Sequence, residues 1–180
     1  RTLVEHWKTR LPCSLHHAWH PDEGNRKAEI CNKAASLVTS EQLIFIDGDS
    51  IPHSRWVSDH LLATSRGDVR CGRRVKLGPD LTQRVDSEMV SMGRLESLMG
   101  PLSWSALCGD TKRFPLGQRL PSALARLLHR RPRKLMGVNF SVSRKAFATV
   151  NGYDTEWNHR RQDKDLGLRL NRAGFCFVPL

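Results

Sequence analysis

The chain has 180 residues, of which 39% are hydrophobic and 26% charged, with a formal net charge of +11. That length supports one domain with a real core, and no apolar run approaches the roughly 20 residues that a bilayer-crossing helix needs. On charge alone a polyanionic partner is favoured, and nucleic acid, acidic lipid headgroups, phosphorylated glycolipid and a nucleotide diphosphate all qualify. Cys13, Cys31, Cys71, Cys108 and Cys176 are odd in number and never spaced as C-x-x-C. Neither a zinc motif nor a disulfide framework is indicated, which points to a reducing compartment, the cytoplasm.

From the amino end, residues 1–12 predict a helix tail through Leu3, Val4, Trp7 and Leu11, broken at Pro12. Cys13 to His20 is consistent with a short strand, and Pro21-Asp22-Glu23-Gly24 with a turn. His16, His17 and His20 are metal-ligating types. On an extended segment, however, neighbouring side chains face opposite sides, and no carboxylate or cysteine completes a zinc pattern. Asn25 to about Ser40 predicts a helix with Cys31, Ala34, Ala35 and Val38 inward and Glu29 and Lys33 paired outside. Arg26 lies in its first turn and reads locally as a solvated charge.

Leu43-Ile44-Phe45-Ile46 predicts a strand buried on both faces, as in parallel sheets. It changes at once to Asp47-Gly48-Asp49, and Pro52 stops the ladder. Asp-Gly is a common turn dipeptide, and Asp-x-Asp alone is a weak signal. Yet a buried strand rarely ends on two acids with nothing to neutralise them. The carboxyl ends of strands are also where open α/β sheets hold their ligands. Paired carboxylates on a short turn suit a hard divalent cation that also holds phosphate oxygens, and Gly48 allows close backbone approach.

Ser54 reads as the N-cap of a helix to about Ser65, with Trp56, Val57, His60, Leu61 and Ala63 on its apolar side. Val69 to Leu77 predicts an arginine-rich strand near an edge or a groove. Asp80 to Gly100 has helical spacing through Leu81, Val85, Met89, Met92 and Leu95. Pro101 to Pro121 reads as loop, and Ser122 to His129 as a short apolar helix. The run His129-Arg130-Arg131-Pro132-Arg133-Lys134 is either a solvated face or a contact for phosphate on a lipid or glycolipid. The second option allows peripheral contact with an anionic membrane surface. Trp104 and Phe114 are too irregularly spaced for a base-stacking platform, so nucleic acid is a minor candidate.

Leu135 to Ser143 predicts a further strand, with Gly137 for close approach and Asn139 as its one amide. Arg144 to Val150 predicts a short helix, and Asn151-Gly152-Tyr153-Asp154 a turn. A helix then starts near Gln162, with Leu166, Leu170 and Ala173 as its buried stripe. Asp163 projects to that side, as a candidate general base or a helix cap, whereas Asp165 turns outward and pairs with Arg169 at i,i+4.

Three of these stretches together resemble family 2 glycosyltransferases of the GT-A fold, especially members with a galactosyltransferase-like C-terminal part. Asp22-Glu23-Gly24-Asn25-Arg26-Lys27-Ala28 with Asn32-Lys33-Ala34 is similar to the family's segment against the donor nucleotide. Asp47-Gly48-Asp49-Ser50-Ile51-Pro52-His53 is similar to its D-G-D-x-x-P metal loop. Gly137-Val138-Asn139-Phe140-Ser141, Asn151-Gly152-Tyr153-Asp154 and Gln162-Asp163-Lys164-Asp165-Leu166 are similar to its G-x-N-x-S, N-G-[YF]-D and E-D-x-D-L elements, with Gln162 in place of the usual Glu. Order and spacing agree over residues 13–178.

The resemblance implies one partial GT-A domain over residues 1–180, lacking both ends of the catalytic domain. Its fold class would be α/β, a Rossmann-like, mixed but mostly parallel sheet flanked by helices. It implies metal-dependent, inverting transfer of a sugar from a nucleotide-sugar donor, most often UDP-linked, to a hydroxyl of a glycan or lipid-linked acceptor. Asp47 and Asp49 would hold Mn2+ or Mg2+, and Asp22, Gly24, Arg26 and Asp47 would face the donor nucleotide and its diphosphate. Asn139 would face the donor sugar, and Asp163 would take the acceptor proton. A non-catalytic carbohydrate-binding or scaffold remnant of the same fold is the alternative.

Overall fold

The computed structural model describes residues 2–62, 68–97, 99–114, 134–156 and 161–180. Among them are eight α-helices, one 3-10 helix and four strands: a mixed α/β protein built on one open sheet. The strands are β1 (Gln42–Ile46), β2 (Val69–Cys71), β3 (Asn139–Ser143) and β4 (Phe177–Pro179). Their order is β1-β3-β2-β4.

The expectation of a mostly parallel sheet needs correction. β3 runs antiparallel to both β1 and β2, and only β2 and β4 pair in parallel. It follows that β1, β2 and β4 all run one way. A single reversed strand, inserted between two of them, makes both of its own ladders antiparallel. Apolar content cannot reveal this, because a buried strand looks the same in either direction. The carboxyl ends of β1, β2 and β4 therefore meet the amino end of β3, where Ile46 faces Asn139 and the Gly72 amide donates to the Asn139 carbonyl.

Period-two alternation sorts the strand residues onto two faces. On one, Leu43, Val69, Cys71, Phe140 and Val142 form a core with Ala28 and Ala35 of α2 (Lys27–Ser36). Ala146 and Phe147 of α7 (Arg144–Thr149) and Leu166 and Leu170 of α8 (Gln162–Arg172) complete it. Phe45 and Phe140 are cross-strand partners whose rings stack at 4.6 Å, a contact worth about 0.5–1.5 kcal/mol beyond its buried area. On the other face, α3 (Trp56–Leu62) brings the fully buried His60 against Ser141.

Several local expectations are revised. In α2, Ala28 takes the inward place expected of Ala34, which is exposed, and Glu29 pairs with Arg26 rather than Lys33. α3 starts at Trp56, not at Ser54, whose amide and hydroxyl both donate to Glu96. Val57 and Leu61 of that helix face solvent, because it docks through a polar rather than an apolar stripe. β2 is an inner strand, although its arginines suggested an edge. Cys13 to His20 forms no strand.

The span 80–100 is broken into α4 (Pro79–Arg84), α5 (Ser87–Ser91) and the 3-10 turn Arg94–Glu96. Asp86 extends the backbone between the first two and caps α5, and Gly93 at φ 66 ends it. Pro101–Leu107 is a helix (α6), not loop: Pro101 stands at its first turn, where a missing N–H costs nothing. The first helix expected is α1 (Thr2–Lys8). The expected helix 122–129 and the basic run except Lys134 lie outside the described residues. No helix among the described residues is long and apolar enough to cross a membrane.

Candidate functional site

β1 ends at Ile46, and the next residues close a tight turn in which the Ser50 amide donates to the Asp47 carbonyl at 3.1 Å. Gly48 and Asp49 are its two central residues, and both are exposed. A Cβ on Gly48 would meet nothing within 4 Å, and its backbone is not in the left-handed region, so the turn itself does not require glycine. What glycine leaves there is open space beside the two acids.

Asp47 points to the core side of the sheet end, and a lysine meets it. Lys27, the first residue of α2, places its Nζ 3.0 Å from Asp47 Oδ1 and 3.8 Å from Asp163 Oδ1. Asp163 comes from the first turn of α8, 116 positions downstream (163 − 47). The three side chains are 35%, 34% and 31% exposed, a hollow open to solvent but partly dehydrated. Half-burial works against the Lys27 ammonium. The hydrogen bond to Asp47 and the charges of Asp163 and Asp47 outweigh that, and its pKa lies above the ordinary lysine value.

Two further contacts hold Asp163 in place. The Tyr153 hydroxyl donates to Asp163 Oδ1 at 3.1 Å. Burial first, and then the Asp163 charge, push the phenol's pKa far upward, so it remains a donor. Its backbone is gripped by Asn32 of α2, which donates to the Tyr153 carbonyl (2.8 Å) and accepts from its amide (2.9 Å). Behind the carboxylate stands Gly137, where a methyl group would overlap the Asp163 side chain. Glycine is required there for the close approach. Cys31 lies beside this group, its thiol pKa raised by burial and held partly in check by Lys27.

Asp165 is not turned to bulk solvent. Its carboxylate accepts one hydrogen bond from Arg169 Nε at 2.8 Å and lies 2.7 Å from Nη2 as an ion pair, and Arg169 Nη1 donates to the Val150 and Gly152 carbonyls. The pair clasps the Asn151-Gly152-Tyr153 turn onto α8. Gly152 at φ 64 and Asn151 at φ 58 adopt the left-handed backbone that suits these residue types.

The other expected residues sit apart from this group. Arg26 gives its guanidinium to Glu29 (2.6 and 2.9 Å) and Glu23 (3.0 Å), both with side chains open to solvent. Asp22 is exposed, and Gly24 turns the chain at φ 89 before α2. Asn139 is held inside the protein. Its oxygen accepts from Trp56 Nε1 and His60 Nε2, each at 2.9 Å, and its amide nitrogen donates to the Arg73 carbonyl at 2.8 Å. Because tryptophan can only donate, the amide's orientation is settled. His60 must then carry its proton on Nε2 and accept from the Ser141 hydroxyl at Nδ1. Burial lowers the His60 pKa, which fits that neutral ring.

As cation ligands, Asp47 and Asp49 offer two carboxylates from one short turn. No group of three or more His, Cys, Asp or Glu side chains gathers as a cation site among the described residues, His16, His17 and His20 included. Two carboxylates on one exposed turn fit a Mg2+ or Mn2+ that takes its remaining oxygens from a phosphorylated substrate and water, and do not fit a closed cage. Lys27, Asn32 and Tyr153 went unassigned in the sequence, although each lies inside a stretch quoted there. Nothing local singles them out, beyond Tyr153 being the chain's one tyrosine. No protein-family model matches the chain, and no curated protein is significantly similar to it in sequence.

Proposed function

We propose that the hollow at the carboxyl end of β1 catalyses inverting transfer of a sugar from a nucleotide-sugar, in the first instance UDP-linked, to a glycan or glycolipid hydroxyl. The observation that carries this reading is the meeting of Asp47 and Asp163 around one lysine, from opposite halves of the chain. Charged groups gathered at the carboxyl ends of three co-directional strands occupy the usual ligand position of an open α/β sheet. Asp163 accepts the proton of the acceptor hydroxyl as its oxygen forms the new bond to the anomeric carbon. The bond from that carbon to the β-phosphate oxygen breaks, and its electron pair leaves with the nucleoside diphosphate. Mn2+ or Mg2+ held by Asp47 and Asp49 supplies positive charge against the departing diphosphate when bound. Tyr153 and Gly137 fix the carboxylate that receives the proton. The GT-A family assignment rests on the resemblance of the motifs and is part of the same proposal.

UDP binding measured by calorimetry with and without Mn2+, and UDP release from UDP-sugars by the full-length protein, test it together. Asp49→Ala is expected to weaken Mn2+-dependent UDP binding at least about tenfold. Asp163→Asn should keep that binding and lose about 10^2- to 10^4-fold in transfer. Binding of UDP that ignores both Mn2+ and Asp49→Ala would overturn the assignment. A protein that binds Mn2+ and UDP normally but transfers no sugar would be the non-catalytic remnant.

A further inference from the structure

Lys27 occupies a position that neither helix formation nor packing demands. Its ammonium lies between two carboxylates contributed by different elements, nearer to Asp47 (3.0 Å) than to Asp163 (3.8 Å). Asp47 is also one of the two oxygen donors for the divalent cation on the reading above. An ammonium at contact distance from one Asp47 oxygen weakens that carboxylate's hold on a divalent cation, because like charges so close repel strongly. We propose that Lys27 is a built-in competitor for the cation site, holding Asp47 until a cation and a nucleotide diphosphate arrive together. The proposal rests on the metal-dependent reading and adds an order of loading to it.

The consequences are specific. The bare cation meets the Lys27 charge beside Asp47, so it binds weakly alone. A diphosphate gives that ammonium a new anionic partner while supplying the cation with the oxygens the turn lacks. Cation and nucleotide therefore favour one another through the lysine, and the coupling is reciprocal.

The test uses the full-length protein and Mn2+ alone, followed by its water-proton relaxation signal, in wild type, Lys27→Met and Lys27→Gln. Both variants are expected to bind Mn2+ on the order of tenfold more tightly than wild type without nucleotide. In wild type, Mn2+ should also speed acetylation of Lys27 by acetic anhydride, read by mass spectrometry, and UDP should then slow it. This second readout needs no variant to fold. Unchanged or weaker Mn2+ affinity in both variants, with Lys27 acetylation indifferent to Mn2+, would overturn the competitor role while leaving Mn2+-dependent UDP binding intact. Absence of Mn2+ binding in all three proteins, even with UDP, would overturn the metal-dependent reading and this inference with it.

Discussion

Two polar groups sit at the same end of the sheet, on opposite faces, and they are built on opposite principles. On the core face, Lys27, Asp47 and Asp163 form a charged cluster about one-third exposed, backed by the buried Tyr153 hydroxyl. On the far face, His60, Asn139, Trp56 and Ser141 form a neutral network around a fully buried imidazole. The second is what a protein does with polar groups it must bury: each finds a partner, and the set becomes rigid. The first carries more charge than structure needs and leaves it open to solvent.

Gly137→Ala is the sharpest way to break the comparison, because it strikes the open cluster through its backing. A methyl there must push Asp163 aside, and displacement of a reacting group by about 1 Å costs on the order of 100-fold in rate. Sugar-transfer kinetics should show that loss in kcat while a urea melt moves little. His60→Ala should do the reverse. Removing a buried ring strands the Ser141 hydroxyl and opens a cavity, at about 2–4 kcal/mol in urea denaturation. A His60→Ala protein as stable as wild type would mean that the network is not structural.

Acid should expose the same division. Burial depresses the His60 pKa below its ordinary 6.5, so the unfolded chain binds a proton that the folded chain refuses. That contribution is complete above about pH 6.5. It is lost as pH falls toward the depressed folded value, at about 1.4 kcal/mol per pH unit. Chemical denaturation between pH 7 and 5 should show this slope in wild type and a flatter one in His60→Ala. The mildest change is Tyr153→Phe, which removes one bond to a partly exposed carboxylate and is expected to cost about 1 kcal/mol. It should lower kcat without raising KM, since the hydroxyl orients Asp163 and touches no substrate.

Strong local chemistry was readable directly. The β1 strand, its arrest at Asp47-Gly48-Asp49, the Asn151-Gly152 turn and the stripe Leu166–Leu170 all appear where the residues indicate. So does the Asp165–Arg169 pair, though its partner carbonyls on the Asn151 turn were hidden. β1 is not buried on both faces as expected, however: it lies at the edge of the described sheet with only Leu43 buried and Ile46 exposed, and Ala173 is exposed at the end of the α8 stripe. The weak spots were segments whose spacing admits several outcomes. Residues 80–100 break into short helices because Asp86 caps and Gly93 turns, and α3 docks by His60 although Val57 and Leu61 are more apolar.

Residue order alone decided some element ends, such as the arrest of β1 before Asp47 and the start of α8 at Gln162, because turns and apolar periods act over a few positions. Which strand runs backwards, that Asn139 is locked to Trp56 and His60, and that Lys27 bridges two distant aspartates were decided only by folding. Each of these depends on groups far apart along the chain arriving at one end of a sheet. Electrostatic and hydrogen-bonding partners are chosen by distance in space, and no local pattern carries that distance.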